Sequence, residues 1–211
     1  MISKNTEFDY CLSRTSQQSN LLESLDRETH LKTLSPQMQS GHYQGTLLRF
    51  ISQMIRPDRV LEIGTFSGYA SLCLAAGLTH QGKLHTIEVN DEMAWLIRKY
   101  VHLAGFDEKI VLHLGDAAEI IPYLDDIFDL AFLDAGKLDY LRHYELVLPK
   151  MRHGGFILAD NVLWDGKVAG MDTKDDTSRA LREFNAFVHN DPRVENILMP
   201  LRDGLMLIRK L

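Results

Sequence analysis

The chain has 211 residues, a mass of 24.1 kDa and a formal net charge of −6 at pH 7. This length suits one α/β domain with a full hydrophobic core, and the acidic balance argues against a nucleic-acid partner held through its phosphates. The two cysteines, Cys11 and Cys73, can form neither a disulfide framework nor a four-cysteine metal site. Because no signal-peptide core or membrane-spanning stretch is visible, we expect a cytoplasmic protein without a membrane partner.

Two helices are predicted before the first core strand. Residues 1–16 are polar, and we expect them to be poorly ordered or packed on a neighbour. Leucines between Gln17 and Leu34 form a partly helical stripe that ends at Ser35-Pro36, and the stretch from Gly41 to Ile55 carries a wide apolar face. We predict that this N-terminal segment, residues 1–56, covers a ligand or forms a dimer contact.

The first core strand leads into a glycine turn and a helix. The stretch from Arg59 to Ala70 reads R-V-L-E-I-G-T-F-S-G-Y-A, in which a short apolar run ends at Gly64 and Gly68 opens a helix predicted from about Ser67 to Leu78. A buried strand, a glycine turn and a helix are typical of the nucleotide-binding start of a doubly wound sheet. The glycines allow backbone N–H groups to approach a ligand closely.

The residues of this turn indicate which ligand it takes. No Lys or Arg occurs from Leu61 to Gln81, which excludes a phosphate-binding P-loop, and the spacing of Gly64 and Gly68 does not match G-x-G-x-x-G. Glu62 places a carboxylate where a pyrophosphate would be repelled. A ligand with a cationic head fits better, so we predict a site for S-adenosylmethionine.

Strands and helices alternate through the rest of the chain. The predicted strands are Lys83–Val89, Lys109–Leu114, Phe128–Leu133 and Phe156–Ala159, and the predicted helices are Asp91–Ala104, Leu138–Leu148 and Thr177–His189. A loop without periodicity follows from about 163 to 176, and a closing hairpin is predicted to pair Val194–Met199 with Leu205–Arg209. The alternation predicts a single domain, residues 1–211, with a mostly parallel sheet and one antiparallel strand at the C-terminus.

Polar residues follow the second and third predicted strands. Glu88 ends a strand about 20 residues past the glycine turn, where adenosine cofactors place the acceptor for their ribose hydroxyls; alternatively it is a solvated strand end. Asp116 begins a short helix and is either an N-cap or, with Ala117, part of the turn beside an adenine.

Three oxygen-bearing side chains end the fourth and fifth predicted strands. Asp134, Asp160 and Asn161 can converge because the carboxyl ends of neighbouring parallel strands meet at one edge. Hard oxygen ligands suit Mg²⁺ or Ca²⁺ rather than Zn²⁺. The alternative is a helix cap and a turn residue without an ion.

Lys137 and Trp164 are further candidates near this edge. Lys137 opens a helix, where the helix macrodipole disfavours a cation, and is either a general base or a surface lysine. Trp164 follows the acid-amide pair and is either a core anchor or a wall of the substrate pocket.

The chain from about Gln37 to the C-terminus resembles the cation-dependent class I O-methyltransferases, the family of the catechol and caffeoyl-CoA O-methyltransferases. The resemblance is carried by Gln44-Gly45, L-E-I-G-T-F-S-G-Y, T-I-E, G-D-A, F-D-L-A-F-L-D-A-G-K-L-D-Y, G-G-F-I-L-A-D-N-V-L-W-D-G and D-G-L. It implies a seven-stranded Rossmann-like sheet with a reversed last strand, and a homodimer.

The resemblance also implies roles for individual residues. The candidate cofactor-binding residues are Met38, Ser40, Glu62, Gly64, Ser67, Gly68, Glu88, Asp116, Ala117 and Asp134. The implied divalent-cation ligands are Asp134, Asp160 and Asn161, with Mg²⁺ favoured over Mn²⁺ or Ca²⁺. Lys137 matches the catalytic lysine of the catechol enzymes, and Asp134 is assigned to catalysis with it.

These patterns together predict a methyltransferase that acts on a small aromatic acceptor with vicinal hydroxyls. The caffeoyl-CoA branch reads D-A-D-K where this chain has D-A-G-K. Gly136 therefore makes a coenzyme A ester a less favoured acceptor, while the three predicted metal ligands remain. The alternatives are an NAD(P)-dependent oxidoreductase on the same sheet and a non-catalytic protein that binds an adenosine ligand.

Overall fold

The computed structural model describes residues 4–170 and 175–211. The α-helices are α1 Lys4–Ser13, α2 Asn20–Lys32, α3 Gly41–Ile55, α4 Tyr69–Ala75, α5 Ala94–Leu103, α6 Ala117–Ile120, α7 Tyr140–Val147 and α8 Asp176–Asn190. The strands are β1 Arg59–Ile63, β2 Lys83–Glu88, β3 Ile110–Leu114, β4 Phe128–Leu133, β5 Met151–Asp160, β6 Val194–Met199 and β7 Leu205–Lys210.

The seven strands form one sheet in the order β3-β2-β1-β4-β5-β7-β6. Strands β1 to β5 pair in parallel, whereas β7 is antiparallel to both of its neighbours, β5 and β6. This confirms the predicted Rossmann-like sheet with a reversed last strand. The reversed strand lies inside the sheet rather than at its edge, because β6 pairs outside it.

Two hydrophobic clusters enclose the sheet. Val60 of β1 belongs to one cluster, while Leu61 and Ile63 belong to the other, since successive side chains of a strand face opposite sides. The β1 side chains from Val60 to Ile63 are all buried. A strand covered on both faces needs no alternation of apolar and polar residues, which explains the short apolar run in the sequence.

Several predicted boundaries were wrong. Of the stretch expected to be poorly ordered or packed on a neighbour, residues 4–13 form α1, and its Phe8 ring contacts Tyr43 of α3 edge-to-face at 5.2 Å. Strand β5 begins at Met151, because that residue pairs with Phe128 across a register shift. Helices α4, α5 and α7 begin and end one to three residues inside the predicted limits, whereas α8 extends one residue beyond them at each end. The predicted loop from 163 to 176 forms turns up to residue 170, and 171–174 lie outside the described residues, as do 1–3.

The fold brings the ends of four parallel strands to one edge of the sheet. Gly64 follows β1, Val89 follows β2, Asp134 follows β4 and Asn161 follows β5. This is the edge at which open α/β sheets bind their ligands. None of the helices within residues 4–170 and 175–211 combines the length and the apolar character that crossing a membrane requires.

Candidate functional site

A cavity of about 760 Å³ opens at the carboxyl ends of the strands. Its walls come from the segment before α3, the β1–α4 turn, the residues after β2, β3 and β4, and the start of the loop after β5. The predicted site residues that line it are Met38, Ser40, Gly64, Ser67, Glu88, Asp116, Ala117, Asp134, Lys137 and Asn161. Within the part of the chain that the structure describes, Glu62, Gly68 and Asp160 lie outside this lining.

The predicted glycine turn is present after β1, and both of its glycines have positive φ angles. Gly64 has φ +94° and Gly68 has φ +85°, values that L side chains rarely adopt. A Cβ atom at Gly64 would overlap the backbone carbonyl of Asp134, whose own N–H donates to Ile63 across 2.8 Å. Gly64 is therefore required both by its φ angle and by the close approach of the segment after β4.

Glu62 lies behind the cavity wall rather than on it. Its side chain is fully buried, and Oε2 accepts hydrogen bonds from the hydroxyls of Ser71 and Thr86. Thr86 is hydrogen-bonded at 2.5 Å to Thr65, which lines the cavity. Burial raises the pKa of Glu62 to about 8, and Oε1 has no hydrogen-bond partner among the described residues. Direct contact with the methionine end of a cofactor stays a prediction.

Glu88 orients two backbone segments around the cavity. Its Oε2 accepts a hydrogen bond of 2.6 Å from the N–H of Phe66, and its Oε1 accepts one of 2.9 Å from the N–H of Asn90. Because each carboxylate oxygen has a second lone-pair site, Glu88 can still accept hydrogen bonds from ribose hydroxyls. The carboxylate is thus held in place before any ligand arrives.

Asp116 is a helix cap that also lies at the cavity. Its Oδ1 accepts a hydrogen bond of 2.8 Å from the N–H of Ala118, so it is the N-cap of α6. Asp116 and Ala117 also line the cavity. The capping bond fixes the turn that would lie beside an adenine, and the adenine contact itself stays a prediction.

Gln39 is a site residue that the sequence analysis missed. Its Oε1 accepts a hydrogen bond of 2.8 Å from the Ser67 hydroxyl, and its Nε2 donates to Asp26 of α2 across 2.7 Å. The amide therefore joins the N-terminal helices to the glycine turn. Neither periodicity nor a motif marks an isolated glutamine of this kind, because its partners are distant in sequence.

Lys137 is buried at the cavity with two oxygen partners. Its Nζ lies 2.9 Å from Oδ1 of Asp134 and 2.6 Å from the Tyr140 hydroxyl. Tyr140 in turn lies within hydrogen-bond distance of the backbone carbonyls of Leu133 and Asp160, at 2.9 and 2.8 Å. Burial raises the pKa of Tyr140 well above its usual value, so the phenol keeps its proton. This geometry contradicts the alternative of a solvated surface lysine.

Asp160 and Asn161 end β5 next to this pair. Asp160 is almost completely buried, and its Oδ2 accepts a hydrogen bond of 2.6 Å from Nε2 of Gln44. Burial, and to a lesser extent the negative charge of Asp134, raises the pKa of Asp160 to about 6. Asn161 adopts a left-handed φ of 57° and lines the cavity.

The described residues contain no group of three or more His, Cys, Asp or Glu side chains suited to a metal ion. The candidate donors that the sequence indicated at this point are two carboxylates and one amide. These hard oxygens match Mg²⁺, Mn²⁺ or Ca²⁺, and two neighbouring carboxylates gain from a cation between them. Trp164 packs against the core and also borders the cavity, whereas its contact with a substrate stays a prediction.

Comparison with known proteins places the chain among enzymes of one family. The family model described as O-methyltransferase matches residues 12–211. Catechol O-methyltransferase domain-containing protein 1 of Mus musculus is 32% identical over 212 residues, which cover 98% of this chain and 80% of that protein.

Solved structures agree with this relationship. The SAH-bound methyltransferase PaMTH1 of Podospora anserina superposes with a TM-score of 0.92 and 27% identity, covering 100% of this chain and 97% of that one. The O-methyltransferase TomG of Streptomyces achromogenes, solved in complex with SAM, has a TM-score of 0.89 and 28% identity, covering 100% and 99%. The chain therefore belongs to the O-methyltransferase family and is a methyltransferase enzyme.

Proposed function

We propose that the enzyme is a divalent-cation-dependent O-methyltransferase that moves the methyl group of S-adenosylmethionine to a hydroxyl of a catechol-like aromatic acceptor. The observation that carries this proposal is the position of the buried Asp134–Lys137 pair. It borders the same cavity as Glu88, Asp116 and the glycine turn. A proton-accepting group and the residues expected to hold the methyl donor therefore share one space.

The cofactor would lie along the strand ends. Glu88 would accept the ribose hydroxyls, the Asp116-Ala117 turn would contact the adenine, and Met38 and Ser40 would close over the molecule. S-adenosylmethionine, when bound, supplies an electrophilic methyl group. Glu62 lies behind the wall of this cavity, and its carboxyl group reaches the lining through the hydroxyls of Thr86 and Thr65.

Asp134, Asp160 and Asn161 would hold the divalent cation, with Mg²⁺ preferred. A bound Mg²⁺ acts as a Lewis acid that favours ionisation of a coordinated hydroxyl. The position of Asp134 after β4, beside the end of β5 that carries Asp160 and Asn161, supports the assignment. The raised pKa of Asp160 supports it too, since the two buried carboxyls repel each other when both are ionised.

Lys137 would accept the proton of the acceptor hydroxyl at Nζ in its neutral amine form, which a divalent cation held by Asp134 would favour over the ammonium form. A free phenol has a pKa of about 10, so little of it is ionised at neutral pH without such help. Asp134 and Tyr140 hold Nζ from two sides, which keeps it aimed at one position of the cavity wall. Placing the hydroxyl oxygen beside the methyl donor supplies up to roughly 7–11 kcal/mol of the barrier reduction in well-oriented systems.

The test is a methyl-transfer assay by mass spectrometry with S-adenosylmethionine and matched acceptors. The acceptors are an aromatic with 3- and 4-hydroxyls, its 4-hydroxyl analogue and a coenzyme A ester, each with Mg²⁺ or with a chelator. We expect methylation of the vicinal diol only, and only with Mg²⁺. Equal turnover in chelator would refute cation dependence, and calorimetry with S-adenosylhomocysteine and NAD in parallel distinguishes a methyltransferase from an oxidoreductase.

We also propose that the enzyme forms a homodimer through its N-terminal helices. Large apolar side chains of the N-terminal segment are exposed: Leu34, which follows α2, is fully exposed, and Met54 of α3 is 76% exposed. Phe50 of α3 is exposed as well. Sedimentation equilibrium of the wild type and of Phe50→Glu/Met54→Glu tests the proposal: the wild type should have twice the mass of the variant, and equal masses would contradict it.

A further inference from the structure

Gln44 holds Asp160 in a fixed orientation. The Gln44 side chain is 2% exposed, and its Nε2 donates to Oδ2 of Asp160 across 2.6 Å. Its Oε1 accepts a hydrogen bond from Nη1 of Arg202. Because a guanidinium can only donate, the amide oxygen must face Arg202 and the amide nitrogen must face Asp160. The orientation of this amide therefore follows from chemistry.

Arg202 connects this amide to the rim of the cavity. It lies in the loop between β6 and β7, with a left-handed φ of 49°. The same Nη1 also donates to the backbone carbonyl of Ser40 across 2.5 Å. Nη1 carries two hydrogens, one for each acceptor. One side chain thus holds both Gln44 and the segment before α3 that lines the cavity.

We propose that Arg202 and Gln44 are positioning residues that hold Asp160 ready for a divalent cation and fix Ser40 at the cofactor cavity. This proposal rests on the cation-dependent function proposed above. Gln44 occupies Oδ2 of Asp160, whereas no hydrogen bond to Oδ1 is found within the described residues. We call the hydrogen-bonded series Arg202–Gln44–Asp160 the relay. It fixes the carboxylate of Asp160 and leaves Oδ1 available for a cation.

The relay also explains why a glutamine separates the arginine from the aspartate. A direct Arg–Asp ion pair would neutralise the carboxylate and compete with a metal ion. A neutral amide that is itself held by Arg202 fixes the position of the Asp160 carboxylate without cancelling its charge. Groups that orient metal ligands in this way typically contribute 10–100-fold to metal affinity.

The relay is tested with Mn²⁺ as the probe, titrated into the full-length protein and followed by electron paramagnetic resonance. The variants are Gln44→Met, Arg202→Met and the double substitution, with Arg202→Lys as the conservative change. Arg209→Met is the matched control, because Arg209 lies in the same hairpin and pairs with the exposed Glu195. Circular dichroism verifies that each variant is folded at the temperature of the titration.

We expect Gln44→Met to weaken Mn²⁺ binding by roughly tenfold or more, Arg202→Met by several-fold, and Arg202→Lys to recover part of that loss. The double variant should bind Mn²⁺ as Gln44→Met does, because both act through one contact. Calorimetry should show weaker S-adenosylhomocysteine binding for Arg202→Met, and the control should match the wild type.

Two outcomes overturn the proposal and are distinguishable. If the wild type binds Mn²⁺ and all relay variants bind it within twofold of that affinity, the relay is refuted while the cation-dependent function stands. If the wild type itself binds no Mn²⁺, the proposed cation site is refuted and the relay's role with it. Additive losses in the double variant would also contradict a relay, since they indicate two independent effects.

Discussion

The ammonium group of Lys137 lies 2.9 Å from the carboxylate of Asp134, and only 10% and 15% of the two side chains are exposed. A lysine so deeply placed is unusual, because burial of its charge is costly unless a partner compensates. Asp134 provides that partner, and the Tyr140 hydroxyl provides a second. The buried pair is therefore the strongest indication in the structure that this edge of the sheet performs chemistry.

Removal of the Lys137 amine should slow methyl transfer without removing the cofactor. We expect Lys137→Met to lower kcat by roughly 10²–10⁴-fold, the usual contribution of a positioned general base. S-adenosylhomocysteine affinity, measured by calorimetry, should stay close to that of the wild type. Lys167→Met, at an exposed position of the loop after β5, is the matched control. A kcat within threefold of wild type would show that Lys137 is not the base.

The buried carboxyl of Glu62 should make the ligand-free protein less stable as the pH rises. Its pKa is raised to about 8 by burial, against an ordinary value of 4.5, so the folded protein holds a proton that the unfolded chain releases. Stability is therefore lost as the pH rises from about 4.5 to about 8, at up to about 1.4 kcal/mol per pH unit.

Glu62→Gln, which carries no titrating proton, should remove this loss. Urea unfolding at pH 5 to 8 should show that the free energy of unfolding of the variant increases relative to that of the wild type as the pH rises. Glu195→Gln, at an exposed position of β6, is the control and should follow the wild type. Stability curves for wild type and Glu62→Gln that run parallel across this range would contradict the assignment.

Two stacked histidines on β2 and β3 should destabilise the fold in acid. Nδ1 of His85 lies 3.0 Å from Nε2 of His113, so one nitrogen donates and the other accepts. If both rings were protonated, both nitrogens would carry a hydrogen, so the hydrogen bond would be lost and the two N–H groups would repel each other. Burial lowers the pKa of both residues below 6.5, although Asp126 opposes this for His85.

A lowered histidine pKa means that the unfolded chain binds the proton more readily. The stabilisation is therefore complete above about pH 6.5 and is lost as the pH falls below it. We expect His113→Gln to reduce the slope of unfolding free energy against pH between 7 and 5. The exposed His189→Gln serves as control. If the slope of unfolding free energy against pH is the same in His113→Gln as in the wild type, the prediction is wrong.

Gly64 should tolerate no side chain, for a reason beyond its φ angle. A Cβ atom there would overlap the carbonyl of Asp134, whereas Gly105, with φ +68°, has open space around it. We expect Gly105→Ala to cost about 1 kcal/mol of stability, the strain of a left-handed residue alone, and Gly64→Ala to cost clearly more. Thermal unfolding measures the loss of stability in both variants. Equal losses would mean that the backbone near Asp134 moves away from the new Cβ atom without cost.

Much of the fold could be predicted from local sequence. Strand β4 and helix α3 begin and end where the apolar patterns predicted, because both are consistent with their local propensities. Strand β5 was predicted too short, since Gly154-Gly155 suggested a loop while pairing with β4 extends the strand. Helix α1 was missed because its contact with Tyr43 is a tertiary one.

The site could be predicted only in part. The acids at strand ends were found because the topology of an open sheet requires ligands there. Gln39, Gln44, Tyr140 and Arg202 could not be assigned, since their roles depend on hydrogen bonds between segments far apart in the chain. Burial of Glu62 behind Thr65 was likewise invisible, because a motif gives the residue type but not the direction of its side chain.

The most direct test is a crystal structure with S-adenosylhomocysteine and Mn²⁺, in which anomalous scattering locates the metal. We expect one peak at the strand ends, with oxygen atoms of Asp134, Asp160 and Asn161 about 2 Å from it, as in Mg²⁺ sites. S-adenosylhomocysteine bound in the cavity with no metal peak at these three side chains, in crystals equilibrated with millimolar Mn²⁺, would contradict it.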